Sequence, residues 1–425
     1  MRIGTSPADF LWAVGIEDTF IPQVATSTGR TLDEYELTQH YRFWREDLQL
    51  AASLGVSAMR YGIPWYKVNP KPGVFDWSWT DQVLEYMVRD LGIHPIVDLM
   101  HYGCPLWLER EFVNPEYPER VAEYARAFVE RYRELTVYYT PLNEPWMNTY
   151  LCGYTGTWPP YLRGWRGWTR VSMALARGMS MTIGEIRQLQ PEAVIVHVEA
   201  TSSFVAGDPA VTPADVAFWW DRRFLATDLI HGWVDNSHSL KPWLLENGAA
   251  VEDLEWLCGH PQTIDVMGSN FYPGLNVWKI VPKDGVAVRR RYYGGRAELE
   301  MVVRRYYERY GKPVMLTETS TTGPVWRRER WMDESLAVVR DLRSDGVPVI
   351  GYTWWPMFSL VAWQYRRGRK MLGAYLAHMG LWDLRDDGAG TLVRDRTPLV
   401  DKYDACVSDA ARTVGELAVT TVQPI

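Results

Sequence analysis

The stretch IHPIVDLMHY, residues 93–102, is almost unbroken in hydrophobicity and closes on polar side chains. A strand with one wet face alternates apolar and polar residues. A run that is apolar at every position belongs to a strand covered on both faces, as in a parallel sheet. Seven further runs read the same way: FLWAVGI (10–16), VSAMRYGI (56–63), LTVYYTPLN (135–143), AVIVHVEA (193–200), IDVMGSNFY (264–272), KPVMLTET (312–319) and VPVIGYTWW (347–355). Between them lie amphipathic helical patterns, clearest at 35–55, 121–135 and 331–346. Eight buried strands alternating with helices predict an α/β fold, a single-domain (β/α)8 TIM barrel over residues 1–425 with extended βα loops. Long irregular stretches are expected at 144–168, 202–215, 273–297 and 356–380, each following a strand. In such barrels chemistry sits on those loops and at the strand C-termini.

Composition narrows the function classes. The 425 residues carry 45 basic and 52 acidic side chains, a net charge of −7. A nucleic-acid binder would show a basic footprint instead. Hydrophobic residues at 47% and charged residues at 23% match an ordinary globular chain. Tryptophan is in excess, 22 against 11 Phe, and its broad apolar face suits sugar rings as well as cores. Cys104, Cys152, Cys258 and Cys406 form no CxxC pair, so zinc, redox and disulfide frameworks find no support. The start, MRIGTSPADFLW (1–12), lacks a signal-peptide pattern. The uncharged stretch 346–365 contains Pro348, Gly351 and Pro356 and reads as strand plus loop, not a membrane span. No GxSxG, HExxH or phosphate-binding Gly-rich loop occurs. The expectation is a cytoplasmic protein with no metal, no organic cofactor, no nucleic acid and no membrane partner; its oligomeric state is left open.

The polar residues that close the apolar runs are Arg60, His101, Asn143 with Glu144, Asn270 with Tyr272, Glu318, and Trp355. A carboxylate appears twice, after the fourth and in the seventh run. Burying a Glu at a strand end is costly unless it is paired or used. Two converging Glu residues are the equipment for glycoside hydrolysis, one protonating the leaving oxygen and the other attacking the anomeric carbon or activating water. Ion pairing with an arginine explains a single such Glu, but not two among Asn, His and Trp.

TPLNEPW (140–146) resembles the acid/base motif of glycoside hydrolase family 1, the β-glucosidase family, and VMLTET (314–319) resembles its nucleophile motif. FLWAVG, MRYGIPWYKVNP (59–70), HYGCPLWL (101–108), GYTGTWPP (153–160), DVMGSNFY (265–272), GYTWWPMFSL (351–360) and RTPLVDKY (396–403) are similar to further family segments, in order along nearly the whole chain. The resemblance implies a retaining β-glycosidase acting on a small-molecule glycoside or oligosaccharide, with Glu144 as acid/base and Glu318 as nucleophile. It further implies that Asn143 bonds the sugar 2-hydroxyl and that Arg60 and Tyr272 hold Glu318 ionised. His101, Asn270, Trp355 and Trp363 complete the implied substrate site.

The chain departs from that family pattern at two glycone anchors. Phe20 stands where a Gln is usual, with Glu17 and Asp18 just before it, and Ala362 stands where a Glu is usual. The loop QYRRGRKMLGAYLAHMG (364–380) is long and basic through Arg366, Arg367, Arg369 and Lys370. An unusual or anionic glycoside is therefore expected to be preferred, with that loop as its counter-charge. The run Arg289–Arg290–Arg291 reads as a solvated face. Trp146, Trp158, Trp165 and Trp168 either form an apolar acceptor site or pack the loop after the fourth strand. The Ser and Lys-Tyr signature of the family's 6-phosphoglycosidases is not reproduced. A non-catalytic sugar-binding barrel, a transglycosylase and an endoglycanase on the same barrel stay open as alternatives.

Overall fold

The computed structural model describes residues 10–420, with side chains described up to Asp409. The reading of the 1–12 segment and the outer ends of the expected 1–425 domain fall partly outside those residues. Eight parallel strands close into a barrel: β1 Leu11–Gly15, β2 Ala58–Gly62, β3 His94–Asp98, β4 Tyr138–Thr140, β5 Val194–Ala200, β6 Val266–Asn270, β7 Val314–Thr319 and β8 Val349–Trp354. Each falls inside its apolar run. Neighbours in sequence are neighbours in space, and β1 seals the ring by pairing Leu11 with Gly351 of β8 and Ala13 with Ala58 of β2.

Strand alternation sorts the side chains into two cores. Leu11, Ala13, Ala58, Ile96, Tyr138, Val196, Val266, Met315 and Ile350 meet inside the barrel, while Val14, Met59, Val97, Tyr139, Ile195 and Leu316 belong to the larger core shared with the helices. Fully burying one such aliphatic side chain stabilises the fold by ~1.5–3 kcal/mol. Both faces are covered by apolar contacts, which is why the runs lack polar positions until their ends.

Two glycines let the upper rim close. A Cβ on Gly15 would lie 2.1 Å from the Trp355 ring, and one on Gly62 would lie 2.1 Å from Asp18 Oδ2. Their bare backbones admit Trp355 and Asp18 to the barrel mouth.

The helices depart from the sequence reading in detail. The 35–55 pattern is split into Glu34–Leu37 and His40–Ala52 by Gln39 at φ 63°. Its side chain explains the break: Gln39 Nε2 donates to Gly390 O and its Oε1 accepts from Leu392 N, tying this point to the Trp382–Arg396 hairpin. The 331–346 helix begins earlier, at Val325. The stretch 273–297, expected to be irregular, contains a hairpin of Val277–Lys283 and Val286–Arg291 that extends Ser203–Ala206 into a three-stranded sheet. Asp284 and Gly285 turn it, both at positive φ, the Asp-Gly signature of a tight hairpin. Residues 346–365 form β8 and a loop, as expected. No helix among the described residues is long and apolar enough to cross a membrane.

Candidate active site

The C-terminal ends of the strands converge on two glutamates. Glu318 lies in β7, where a register irregularity between Leu316 and Glu318 against β6 re-aims the side chain as bulges do. Arg60, in the middle of β2, donates from Nη1 to Glu318 Oε1 at 2.6 Å, and Tyr272 Oη donates to Glu318 Oε2 at 2.6 Å. Glu144 follows β4 in the left-handed region at φ 46°, a strained conformation for a non-glycine residue. Neighbouring strands clamp it there: Asn143 N donates to Met100 O and Glu144 N to Val198 O. Glu144 Oε1 accepts from Asn270 Nδ2 at 2.9 Å and Oε2 from Tyr102 Oη at 2.6 Å.

Asn143 is the hub between the two carboxylates. Its Oδ1 accepts from Arg60 Nη2 at 3.0 Å and Asn270 Nδ2 at 3.3 Å. Its Nδ2 lies 3.1 Å from Tyr102 Oη and 2.9 Å from His101 Nε2. With Asn143 donating to Nε2, the imidazole proton sits on Nδ1, 2.6 Å from Asp18. Arg60 is wholly buried and also pairs with Asp98. Removing one partner of such a buried pair typically costs ~3–5 kcal/mol, because the other charge is left uncompensated. Asp18, Asp98 and His101 bring ligand-type atoms within 4.8 Å of one another. Arg60 already neutralises Asp98 in that set, and the Nδ1 side of His101 faces Asp18.

Trp355 forms one wall. Its ring lies parallel to His101 at 5.9 Å, and Arg60 Cζ stands 4.7 Å from its centroid. Trp363 packs on Tyr102 and Trp158 at 5.6 and 4.9 Å. All nine residues expected at the site thus lie in one connected cluster at the barrel mouth.

The same cluster contains residues that the sequence reading does not single out. Glu17, 5% exposed, accepts from Trp355 Nε1 at 3.2 Å through Oε2. Tyr102 hydrogen-bonds Glu144, and Asp98 shares Arg60. Glu199, wholly buried at the end of β5, accepts from Ala200 N and Trp146 N. Burial pushes Glu199 up to about 8, with Arg223 opposing and Glu144 adding. A charged residue closing an apolar run is the available signal for Asp98 and Glu199.

Phe20 turns its ring onto Tyr35 at 5.0 Å and donates its backbone N–H to His101 O. Position 20 therefore sends no polar group into the mouth. The basic loop corrects one expectation. Arg366 is buried, and its Nη2 is used by Gln23 O and Tyr161 Oη; Arg367 donates to Gly156 O and Thr157 O. These two arginines hold neighbouring loops by their carbonyls and are not poised for a substrate anion. The 289–291 run corrects another: Arg290 and Arg291 are exposed, but Arg289 folds in among Trp278, Tyr150 and Trp146.

Residues 13–214 match the family model for glycosyl hydrolase family 1. The aryl-phospho-β-D-glucosidase BglA of Bacillus subtilis (strain 168) is 23% identical over 90% of this chain and 89% of its own. A bifunctional β-D-glucosidase/β-D-fucosidase of Bifidobacterium breve is 35% identical over 33% of this chain and 32% of its own. The solved family 1 β-glucosidase from Thermotoga maritima superposes with a TM-score of 0.81 at 20% identity, covering 95% of this chain and 98% of that one. Over residues 13–214 the chain is thus similar to glycosyl hydrolase family 1, and along most of its length it resembles, at low identity, β-glucosidases and phospho-β-glucosidases.

Proposed function

We propose that this protein is a retaining β-glycosidase in which Glu318 attacks the anomeric carbon and Glu144 protonates the departing glycosidic oxygen. The observation that carries the reading is the pair of donors on Glu318. A permanent cation and a phenol both point at its oxygens, which favours the carboxylate needed for attack. Glu144 has no cation within ion-pair distance among the described residues. In the second step Glu144 takes a proton from water as it attacks the glycosyl–Glu318 ester, and the sugar leaves with its β configuration. Glu17 presents a carboxylate beside Trp355, taking the anchoring role that Phe20 and Ala362 do not fill. The relatives' printed activities, on β-glucosides and aryl-phospho-β-glucosides, support an aryl or alkyl β-glycoside as substrate class.

Product stereochemistry tests the assignment. Proton NMR of a running reaction should show the β anomer of the freed sugar first, with the α anomer arriving only by mutarotation. An α anomer formed first would require the inverting arrangement and contradict both roles.

Burial pushes the Glu318 carboxyl up to about 8, with Arg60 opposing and Glu144's charge adding. The Arg60 and Tyr272 donors are the contacts that draw it back toward the carboxylate.

A further inference from the structure

Beyond the two glutamates, the segment Pro145–Tyr154 opens onto a cavity of about 360 Å³, lined by Trp146, Tyr150, Trp219, Arg222 and Arg289 among others. That volume is within the ~300–1,000 Å³ typical of small-molecule sites. Its walls are flat. Trp146 and Tyr150 stack at 5.0 Å with 17° between their planes.

The arginines are what set this cavity apart. Arg222, from the Pro213–Ile230 helix, is 3% exposed and lies 3.8 Å from the Trp219 centroid and 4.4 Å from that of Trp165. Its Nε reaches Phe218 O at 3.4 Å, while both Nη groups have no hydrogen-bond partner. Arg289, from the Val286–Arg291 strand, is half-buried among Trp278, Tyr150, Trp146 and Trp219, and its Nη1 is also unpartnered. Arg223 stands behind them, 3.4 Å from the Trp146 centroid. Among the described residues none of these three arginines makes an ion pair, and no acidic side chain lines the cavity. Burial and the charge of Arg289 pull Arg222 down to about 9, the direction expected of cations crowded without an anion.

Aromatic faces attract a guanidinium but accept no conventional hydrogen bond from its edge. Buried donors are ordinarily satisfied, and a guanidinium fork matches a planar oxyanion best. Trp146 follows Glu144 with only Pro145 between them, and Glu144 is the group that meets the leaving oxygen. We propose that this cavity is an aglycone site for an aromatic ring bearing a carboxylate or sulfonate, with Arg222 and Arg289 as its counter-charges. The assignment rests on the glycosidase reading of Glu144 and Glu318. It moves the anion preference from the basic 364–380 loop to the leaving-group side.

The test compares three phenols with the full chain by calorimetry at low salt: 4-hydroxybenzoate, 4-hydroxybenzenesulfonate and neutral 4-hydroxybenzamide. At least one anionic probe should bind about tenfold or more tighter than the amide, as a charge-assisted pair replaces a neutral contact; which one does identifies the oxyanion. That preference should vanish in Arg222→Met and in Arg289→Met. Arg289 lies on the outer hairpin, so its variant keeps the test decisive if Arg222→Met fails to fold. A second arm measures kcat/KM for 4-carboxyphenyl and 4-carbamoylphenyl β-glycosides sharing one glycone, where the carboxylate should again be favoured. Equal binding of all three probes, or a preference unchanged in Arg289→Met, overturns the anion site even if aryl glycosides are turned over. An arginine-dependent preference without turnover of any glycoside upholds the anion site and overturns the glycosidase reading instead.

Discussion

Glu318→Gln is expected to lower kcat by roughly 10⁴–10⁶-fold, the scale on which enzymes lose turnover when their nucleophile is removed. The substitution is nearly isosteric, so the Tyr272 contact at 2.6 Å and the Arg60 contact at 2.6 Å lose a charge but little shape. Thermal unfolding should therefore remain cooperative while turnover disappears. The loss should be of the same order for good and poor leaving groups, because an amide cannot form the glycosyl ester with either. Steady-state assays on a 2,4-dinitrophenyl and an alkyl glycoside check this. A variant that kept more than a tenth of wild-type kcat on either would remove Glu318 from the nucleophile's place.

Glu144→Ala has a different signature. Protonation by a positioned acid is worth roughly 10²–10⁴-fold, and a leaving group that departs unaided does not need it. Formation of the covalent intermediate should be little changed for a 2,4-dinitrophenyl glycoside and slowed by that factor for an alkyl glycoside. Hydrolysis of the intermediate should slow for both, since no base activates water, and KM should fall as the intermediate accumulates. Azide needs no base. Added to the variant, it should restore turnover of the dinitrophenyl substrate and yield the β-glycosyl azide. If azide neither restores turnover nor appears in the product, Glu144 is not the acid/base. Its Asn270 and Tyr102 contacts would then be structural only.

What the sequence discloses, and what it does not, follows from the range of the interactions involved. The eight strands are legible because burial on both faces leaves a continuous apolar run, and Ile96 to Asp98 or Val314 to Leu316 need no partner to be recognised. Arg60, Glu144, Asn270 and Glu318 are legible because a polar side chain ending such a run is costly where it stands. Glu17, Asp18 and Tyr102 do not stand out, because their significance comes from residues remote in the chain. Asp18 matters through His101, Glu17 through Trp355, and Tyr102 through Glu144. The arginine clusters mislead for the same reason. Arg366 is consumed by a backbone carbonyl and a tyrosine, partners that leave no trace in local charge. Arg289 is drawn inward by the strand alternation of a hairpin, and the charge run masks the Asp284–Gly285 turn that forms it.

The most direct measurement of the central claim is the mass of the protein after incubation with an activated 2-deoxy-2-fluoro β-glycoside of the glycone it turns over. Fluorine in place of the 2-hydroxyl removes transition-state stabilisation, and a good leaving group still allows the first displacement. Intact mass should rise by one fluoroglycosyl group, and proteolysis should place it on the peptide carrying Glu318, with Glu318→Gln unlabelled. An adduct on any other residue, or none while the same glycoside is hydrolysed, would contradict the double displacement through Glu318.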